Sequence, residues 1–585
     1  MDNKNSLMQL IKKIEWPKRL IILSIIISSL SSLVGLFIPF YTGKLVDGFS
    51  EDILNSKFIT LFVIVFLLNA LLGGLGLYLL SKVGEQFIYS IRKTLTNHIL
   101  HLKLSFFDNT ESGNIISRVT DDTNVVNNFL TQKFPSVLPS LISLIGSLIM
   151  LLILDWKTTI LTLVLIPIMF LIMTPLSKIV QKVSFKNQNE MADFNGNFNR
   201  VLNEIRLVKT SVTEEKEFAK ISDNLNNIFL LGLQKAKIFS VIQPISGLLI
   251  LLTIGCILGF GGVRVSTDEI TTGVLISMIF YVIQLTGPLA NLSAVLTEYQ
   301  EANGASTRIA DILKIEKEEY ENEINNTSIE PMTSFADLNI KFENIQSSYS
   351  EEKVLKNISF EIPHNKTTAI VGPSGSGKTT ILNLLERLYP IEGGDIKIGN
   401  QSIYDFPLNV WRNQLGYVMQ NNTLMNGTIR ENILYGITQN VSDEKLIYYS
   451  KLANCYDFIM DLENQFDTQV GERGLKLSVG QAQRINIARN FIKNPHILLL
   501  DEATASLDSE SEQKIHDSLN NLLSNKTTII IAHRLSTIRN ADNIIFLENG
   551  KITGQGTHEE LMLSHKKYNY FVNLQDSSNE LSSVN

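Results

Sequence analysis

Six stretches of this chain, near 19–40, 58–80, 136–154, 159–178, 241–263 and 272–293, are apolar over about the 20 residues that an α-helix needs to cross a bilayer. In hydrocarbon every backbone N–H and C=O must find its partner inside the segment, so runs of this kind fold as helices. They fall into three close pairs, joined by the short gaps YTGKLVDGFSEDILNSK, DWKTT and RVSTDEITT. The two long gaps, about 81–135 and 179–240, carry most of the Lys and Arg, and by the positive-inside rule they and the N-terminus face the cytoplasm. They are not linkers. QKVSFKNQNEMADFNGNFNRVLNEIRLVKT keeps apolar residues at helical spacing with few breakers, so the spans are expected to continue as helices beyond the bilayer. The basic start, MDNKNSLMQLIKKIEWPKRL, leads into a run of full spanning length with no evident cleavage site and reads as the approach to a retained first span. Pro167, Pro175, Pro244 and Pro288 lie inside apolar runs, where each is either a kink at a moving gate or an ordinary membrane-helix proline. The small-residue cluster LLGGLGLYLL at 71–80 reads as a close helix contact.

The formal net charge of −7 comes with no block of basic residues, which sets nucleic acid aside. Two cysteines, Cys256 and Cys455, sit far apart with no CxxC, so structural zinc and redox chemistry are not expected.

After the sixth run comes the acidic, polar stretch EKEEYENEINNTSIEP, read as an exposed connection. The expected organisation is a membrane domain over 1–315, a linker over 316–337, a second domain over 338–575 and a disordered tail, DSSNELSSVN, over 576–585. In the second domain the runs IKFENI, TTAIV, DIKIG, HILLL, TTIIIA and NIIFL alternate with helical patterns, the signature of an α/β fold with a largely parallel sheet.

That domain carries the chemistry. TTAIVGPSGSGKTTILNLLERL is a strand, a glycine loop and a helix, and 372–379 fits G-x-x-x-x-G-K-[ST]. Gly372, Gly375 and Gly377 let the backbone wrap a polyphosphate with N–H groups pointing inward. The helix start adds its positive dipole end, Lys378 reaches the outer phosphates, and Thr379 offers a hydroxyl to Mg2+. Further on, HILLLDEATASLD ends an apolar strand in two carboxylates: Asp501 is placed to hold Mg2+ through water, and Glu502 to act as general base on an attacking water. The strand in KTTIIIAHRLST leads to His533, a candidate donor to the γ-phosphate.

These residues resemble the ATP-binding cassette family over nearly the whole chain. GPSGSGKTT looks like its Walker A motif, ILLLDEATASLD its Walker B and D-loop with Asp508, and IAHRLST its switch histidine. VMQNNTLMNGTIRENILYG looks like its Q-loop region with Gln420, and KFENIQSSYS puts Tyr349 where the family stacks a ring on adenine. SGNIISRVTDDT and NEIRLVKT resemble the cytoplasmic loops of its exporters. The resemblance implies an α-helical six-span membrane domain of type IV exporter form, domain-swapped in a dimer, plus an α/β P-loop nucleotide-binding domain. It further implies ATP and Mg2+ as cofactors. Ser374, Ser376 and Thr380 would join the loop residues on the nucleotide, and Gln420 would join Thr379 and Asp501 on the metal while serving catalysis with Glu502 and His533.

In the family the motif LSGGQ binds the γ-phosphate of a nucleotide held by the other subunit; here it reads LSVGQ, with Ser478, Val479, Gly480 and Gln481. The implied partner is a second half-transporter, the substrate an amphipathic drug or lipid, and the place a cell membrane with both termini cytoplasmic. Val479 leaves two readings open. Its side chain or backbone angle spoils the anion site, or it supplies the same N–H as glycine in a helical first turn. The first would fit a subunit of a heterodimer that keeps Glu502 and His533 but contributes a weakened signature. A nucleotide-gated channel or regulator would favour loss of Glu502 or Lys378, and both are present. Neither cysteine lies before the spans, where a peptide-processing protease domain would need one. Plain peptide export and lipid flipping stay open, whereas importers of the family generally keep spans and nucleotide domain on separate chains.

Overall fold

The computed structural model describes residue 7 and residues 17–50, 56–318, 338–349, 352–419, 423–471, 474, 476–501, 509–532 and 535–582. They divide into two compact units: a helical one of residues 1–100 and 112–315, and a mixed one of residues 101–111 and 316–585.

The helical unit is built on α1 (Lys18–Gly35), α2 (Phe37–Ser50), α3 (Ser56–Leu100), α4 (Phe134–Leu154), α5 (Trp156–Asn203), α6 (Glu214–Ser266) and α7 (Thr272–Lys314). Among the described residues five helical stretches are long and apolar enough to cross a membrane. The sixth apolar run, 159–178, lies within α5, some of whose side chains fall outside the described set. α5 packs along α6, α1 against α3 and α4, and α7 against α2 and α4. α6 continues through Pro244, α7 through Pro288, and α5 through Pro167 and Pro175.

The break falls elsewhere, at Leu36 between α1 and α2. Pro39 has no N–H to give the Gly35 carbonyl four residues back, which frees that acceptor inside an apolar segment. The seventh helix supplies substitutes: Gln284 Nε2 donates to Gly35 O at 3.4 Å, the buried Tyr281 hydroxyl to Leu36 O at 2.5 Å, and Ser277 Oγ to Pro39 O at 3.0 Å. In the small-residue cluster, a Cβ on Gly76 would meet Ser28 Oγ at 2.7 Å, so glycine here sets how closely α3 lies against α1.

The mixed unit holds two sheets. The larger has strand order β10-β9-β3-β8-β7-β6, formed by β3 (Thr367–Val371), β6 (Leu415–Val418), β7 (Ile497–Asp501), β8 (Thr527–Ile531), β9 (Asn543–Glu548) and β10 (Lys551–Gly556). Every pair in it is parallel except β10 with β9. The smaller, order β2-β1-β4-β5, is antiparallel and contains β1 (Ile340–Tyr349), β2 (Glu352–Ile362), β4 (Gly393–Ile398) and β5 (Gln401–Ser402). IKFENI and DIKIG therefore belong to a separate antiparallel layer.

Strand side chains alternate between two cores, as period 2 requires. Ile370, Leu499, Ile529 and Ile531 join one core with Ile381, Leu382 and Leu385 of α8 (Lys378–Leu385). Val371, Leu498, Leu500 and Ile530 join the other with Ile485, Ile487 and Ala488 of α9 (Val479–Lys493). α8 and α9 therefore cover opposite faces of the parallel sheet.

Residues 101–111, placed by sequence with the spans, belong to the mixed unit. Leu102 bridges Lys317, Glu318 N donates to His101 O at 2.7 Å, and the Tyr389 hydroxyl donates to the Asp108 carboxylate. The final helix runs Lys566–Ser582, through most of the stretch read as a tail, which holds no Gly or Pro before Ser582 to stop it.

Candidate functional site

The glycine loop leaves β3 and enters α8 through residues whose backbone tolerates little else. Gly375 and Gly377 have φ of +76° and +103°, in the left-handed region that side chains avoid. A Cβ at Gly372 would stand 2.0 Å from the Leu547 carbonyl oxygen, and one at Gly377 2.7 Å from Leu355 Cδ2. Lys378 is buried at the helix start, and its ammonium donates to the Gly372 and Pro373 carbonyls at 2.9 Å each, tying the loop into a closed cradle. Ser376 Oγ is buried with no hydrogen-bond partner among the described residues, an orphaned polar group in the cradle wall of the kind a phosphate oxygen would satisfy. Ser374 and Thr379 are exposed and Thr380 is buried.

Asp501 is the last residue of β7; burial first, and then the Asp501 carboxylate, hold the Tyr417 phenol of the neighbouring strand β6 above its ordinary range. Glu502, His533, Gln420 and Asp508 lie outside the described residues. The parallel strands β6, β7 and β8 end at Val418, Asp501 and Ile531, just before Gln420, Glu502 and His533 in sequence, at the same sheet edge where β3 opens into the glycine loop. Tyr349 closes β1, but its ring is outside the described set.

The signature stretch starts α9. Ser478 caps it: its Oγ accepts from Gln481 N at 3.2 Å while Gln481 Oε1 accepts from Ser478 N at 2.9 Å, a reciprocal capping box. Val479 is the first helical residue, does not have positive φ, and is 55% exposed. Gly480 is buried. α8 and α9 lie on opposite faces of one sheet, so the glycine loop and Ser478 begin helices on different sides of it.

Sequence reasoning passed over Glu386, at the C-terminal end of α8. Burial pushes its carboxyl up to about 7, against the pull of Arg412 and Lys493, and its Oε2 is buried without a hydrogen-bond partner among the described residues. The folded chain holds this proton more tightly than an unfolded one, whose carboxyl titrates near 4.5. Stability is therefore expected to fall as pH rises from 4.5 to 7 and to stay lower above, by up to roughly 3 kcal/mol. Glu386→Gln should flatten that slope and raise the midpoint of unfolding at pH 8, read from denaturation of the full chain at several pH values. Cys455 is buried, its thiol pushed up to about 12 by burial, so it is inert.

A glycine cradle at a parallel-sheet edge, carried on a chain with membrane-length helices, defines a membrane protein driven by a nucleotide. Residues 21–289 match the ABC transporter transmembrane region and residues 355–505 the ABC transporter domain. The chain is 36% identical over 555 residues to a multidrug resistance ABC transporter ATP-binding and permease protein of Lactococcus lactis subsp. cremoris, covering 95% of this chain and 93% of that protein. It is 34% identical over 526 residues to an ATP-dependent lipid A-core flippase of Desulfotalea psychrophila, covering 90% and 91%. Its fold is similar to the solved structure of a bacterial Atm1-family ABC exporter with ATP bound, with a TM-score of 0.77 and 26% identity over 95% of this chain and 98% of that one. The chain belongs to the ABC transporters and has the type IV exporter fold. It is a multi-pass membrane ATPase coupled to transport, and as a half-transporter it works with a second one.

Proposed function

We propose that two copies of this chain form an exporter that uses ATP hydrolysis to move amphipathic drugs or lipids across or between the leaflets of a cell membrane. The observation that carries the dimer is the placement of α8 and α9 on opposite sheet faces, which leaves each glycine cradle in want of a signature helix from another chain. Relatives named as a multidrug resistance ABC transporter and a lipid A-core flippase support the substrate class. The Lys and Arg of the long gaps favour cytoplasmic termini.

In the proposed cycle the loop N–H groups and Lys378 bind the phosphates, with Ser374, Ser376 and Thr380 adding contacts and Tyr349 stacking on the base. Thr379 and Asp501 bring a hydroxyl and a carboxylate to one site, hard oxygen donors that fit Mg2+, with Gln420 as a third ligand. When bound, Mg2+ neutralises charge on the outer phosphates. Glu502 takes a proton from the attacking water, His533 donates to the γ-phosphate, and Asp508 belongs to the loop that faces the partner. Ser478, Val479, Gly480 and Gln481 close on the partner's nucleotide.

The helical, outward-facing Val479 favours the homodimer over the heterodimer reading, since the backbone does not need glycine there. The chain purified alone in lipid should hydrolyse Mg-ATP, with a rate that amphipathic drugs alter, and Val479→Gly should change that rate less than about threefold, because a few tenths of a kcal/mol separate the two residues in a first turn. ATP binding with almost no turnover, restored by Val479→Gly, would instead reinstate a partner with an unaltered signature.

A further inference from the structure

We propose that Arg412 is a positioning residue that clasps the chain leaving the last span to the two helices carrying the glycine cradle and the signature, so that ATP binding and the placement of residues 316–318 act on each other. The inference rests on the nucleotide site and the ATP-driven transport described above. Glu318 lies just past Ile315, the residue that caps the end of α7. Its carboxylate accepts both arms of the Arg412 guanidinium, Nη1 to Oε2 at 2.8 Å and Nη2 to Oε1 at 3.0 Å. The two side chains are only 25% and 11% exposed, so water screens the pair little. A fork-to-fork pair of this kind fixes orientation as well as distance. Glu318 N donates in turn to His101 O at 2.7 Å and Lys317 bridges Leu102, which seats the segment on the same unit.

Arg412 belongs to the short helix Leu408–Asn413 and reaches past the linker. Its Nε donates to Glu386 O and its Nη2 to Arg387 O, both at 3.0 Å, while Trp411 Nε1 donates to Leu385 O at 2.7 Å. Those carbonyls form the C-terminal end of α8, where orphan acceptors and the negative end of the helix dipole favour a cation. The other end of α8 is the glycine cradle. The Arg412 carbonyl accepts from Lys493 Nζ at 3.1 Å, and Lys493 is the last residue of α9, whose first turn is the signature. One residue thus touches the linker, the far end of the cradle helix and the far end of the signature helix. An arginine with a purely internal task would pair with Glu386, whose carbonyl it already holds. Here the fork goes to Glu318, and Glu386 Oε2 stays buried without a hydrogen-bond partner among the described residues. The domain therefore keeps a second carboxyl for the guanidinium when Glu318 withdraws, which gives the clasp two discrete arrangements.

The test follows backbone hydrogen exchange in full-length Glu502→Gln protein in lipid, with and without Mg-ATP, and compares it with the same protein carrying Glu318→Gln or Arg412→Lys. By reciprocity, a nucleotide that responds to the linker must change how firmly the linker is held. In the parent protein Mg-ATP is expected to change exchange across residues 312–318 about tenfold, the scale of one charge-assisted contact. Glutamine removes the charge of Glu318, and lysine keeps a cation at the end of α8 but has no fork. Each should cut the ATP response to below about twofold, with affinity for a fluorescent ATP analogue and melting temperature unchanged. With Glu502 restored, basal hydrolysis should persist while amphipathic drugs no longer alter its rate. A full ATP response in either variant would overturn the clasp. Loss of ATP affinity in step with the response would also overturn it, since Arg412 would then merely hold the domain together. A parent protein that binds Mg-ATP with no change across 312–318 would sink the inference and leave the nucleotide site standing. A parent that fails to bind Mg-ATP would bring down both.

Discussion

The Glu502→Gln protein is expected to bind ATP as tightly as wild type and to turn it over about 100- to 10,000-fold more slowly, the range that a general base contributes. Glutamine keeps the shape and hydrogen-bonding reach of glutamate but cannot take the proton from water. Two ATP molecules should then stay trapped between the nucleotide domains of a closed dimer. The measurement is phosphate release beside nucleotide retention on the same sample, with native mass or crosslinking to report the dimer. Turnover at the wild-type rate would take Glu502 out of the role.

Lys378→Ala should lose about 10- to 100-fold in ATP affinity, because it removes a charge-assisted contact worth roughly 1.5 to 3 kcal/mol. The structure adds a second reason. The same ammonium holds the Gly372 and Pro373 carbonyls at 2.9 Å, so the variant lacks both the phosphate partner and the tie that shapes the cradle. Lys378→Arg separates the two effects, since it keeps the charge but not the compact head that fits between two carbonyls. Binding of a fluorescent nucleotide across the three proteins reads both. Unchanged affinity in Lys378→Ala would contradict the assignment.

The glycine loop could be read in the sequence because its demands are local. Each glycine answers a positive φ or a close backbone approach, and a strand before it and a helix after it have recognisable periods. The strands β3, β7 and β8 were equally plain as short buried runs. Their parallel direction was legible too, but the pairing was not. IKFENI looks like TTAIV over five or six residues, and only its long-range register, Ile340 opposite Ile362 and Ile398, assigns it to an antiparallel sheet. The break at Leu36 was hidden for a related reason: Pro39, near the end of the first apolar run, acts on the carbonyl four residues upstream. Nor does helical spacing tell that residues 101–111 leave the span bundle for the mixed unit.

The capping box at Ser478 constrains what that serine can still offer. A hydroxyl has two lone pairs and a single proton, and here a lone pair is committed to the Gln481 N–H. That engagement turns the oxygen toward its own helix and leaves the proton as the part free to point outward. In the dimer proposed above, the side chain would meet the partner's phosphate as a hydrogen-bond donor.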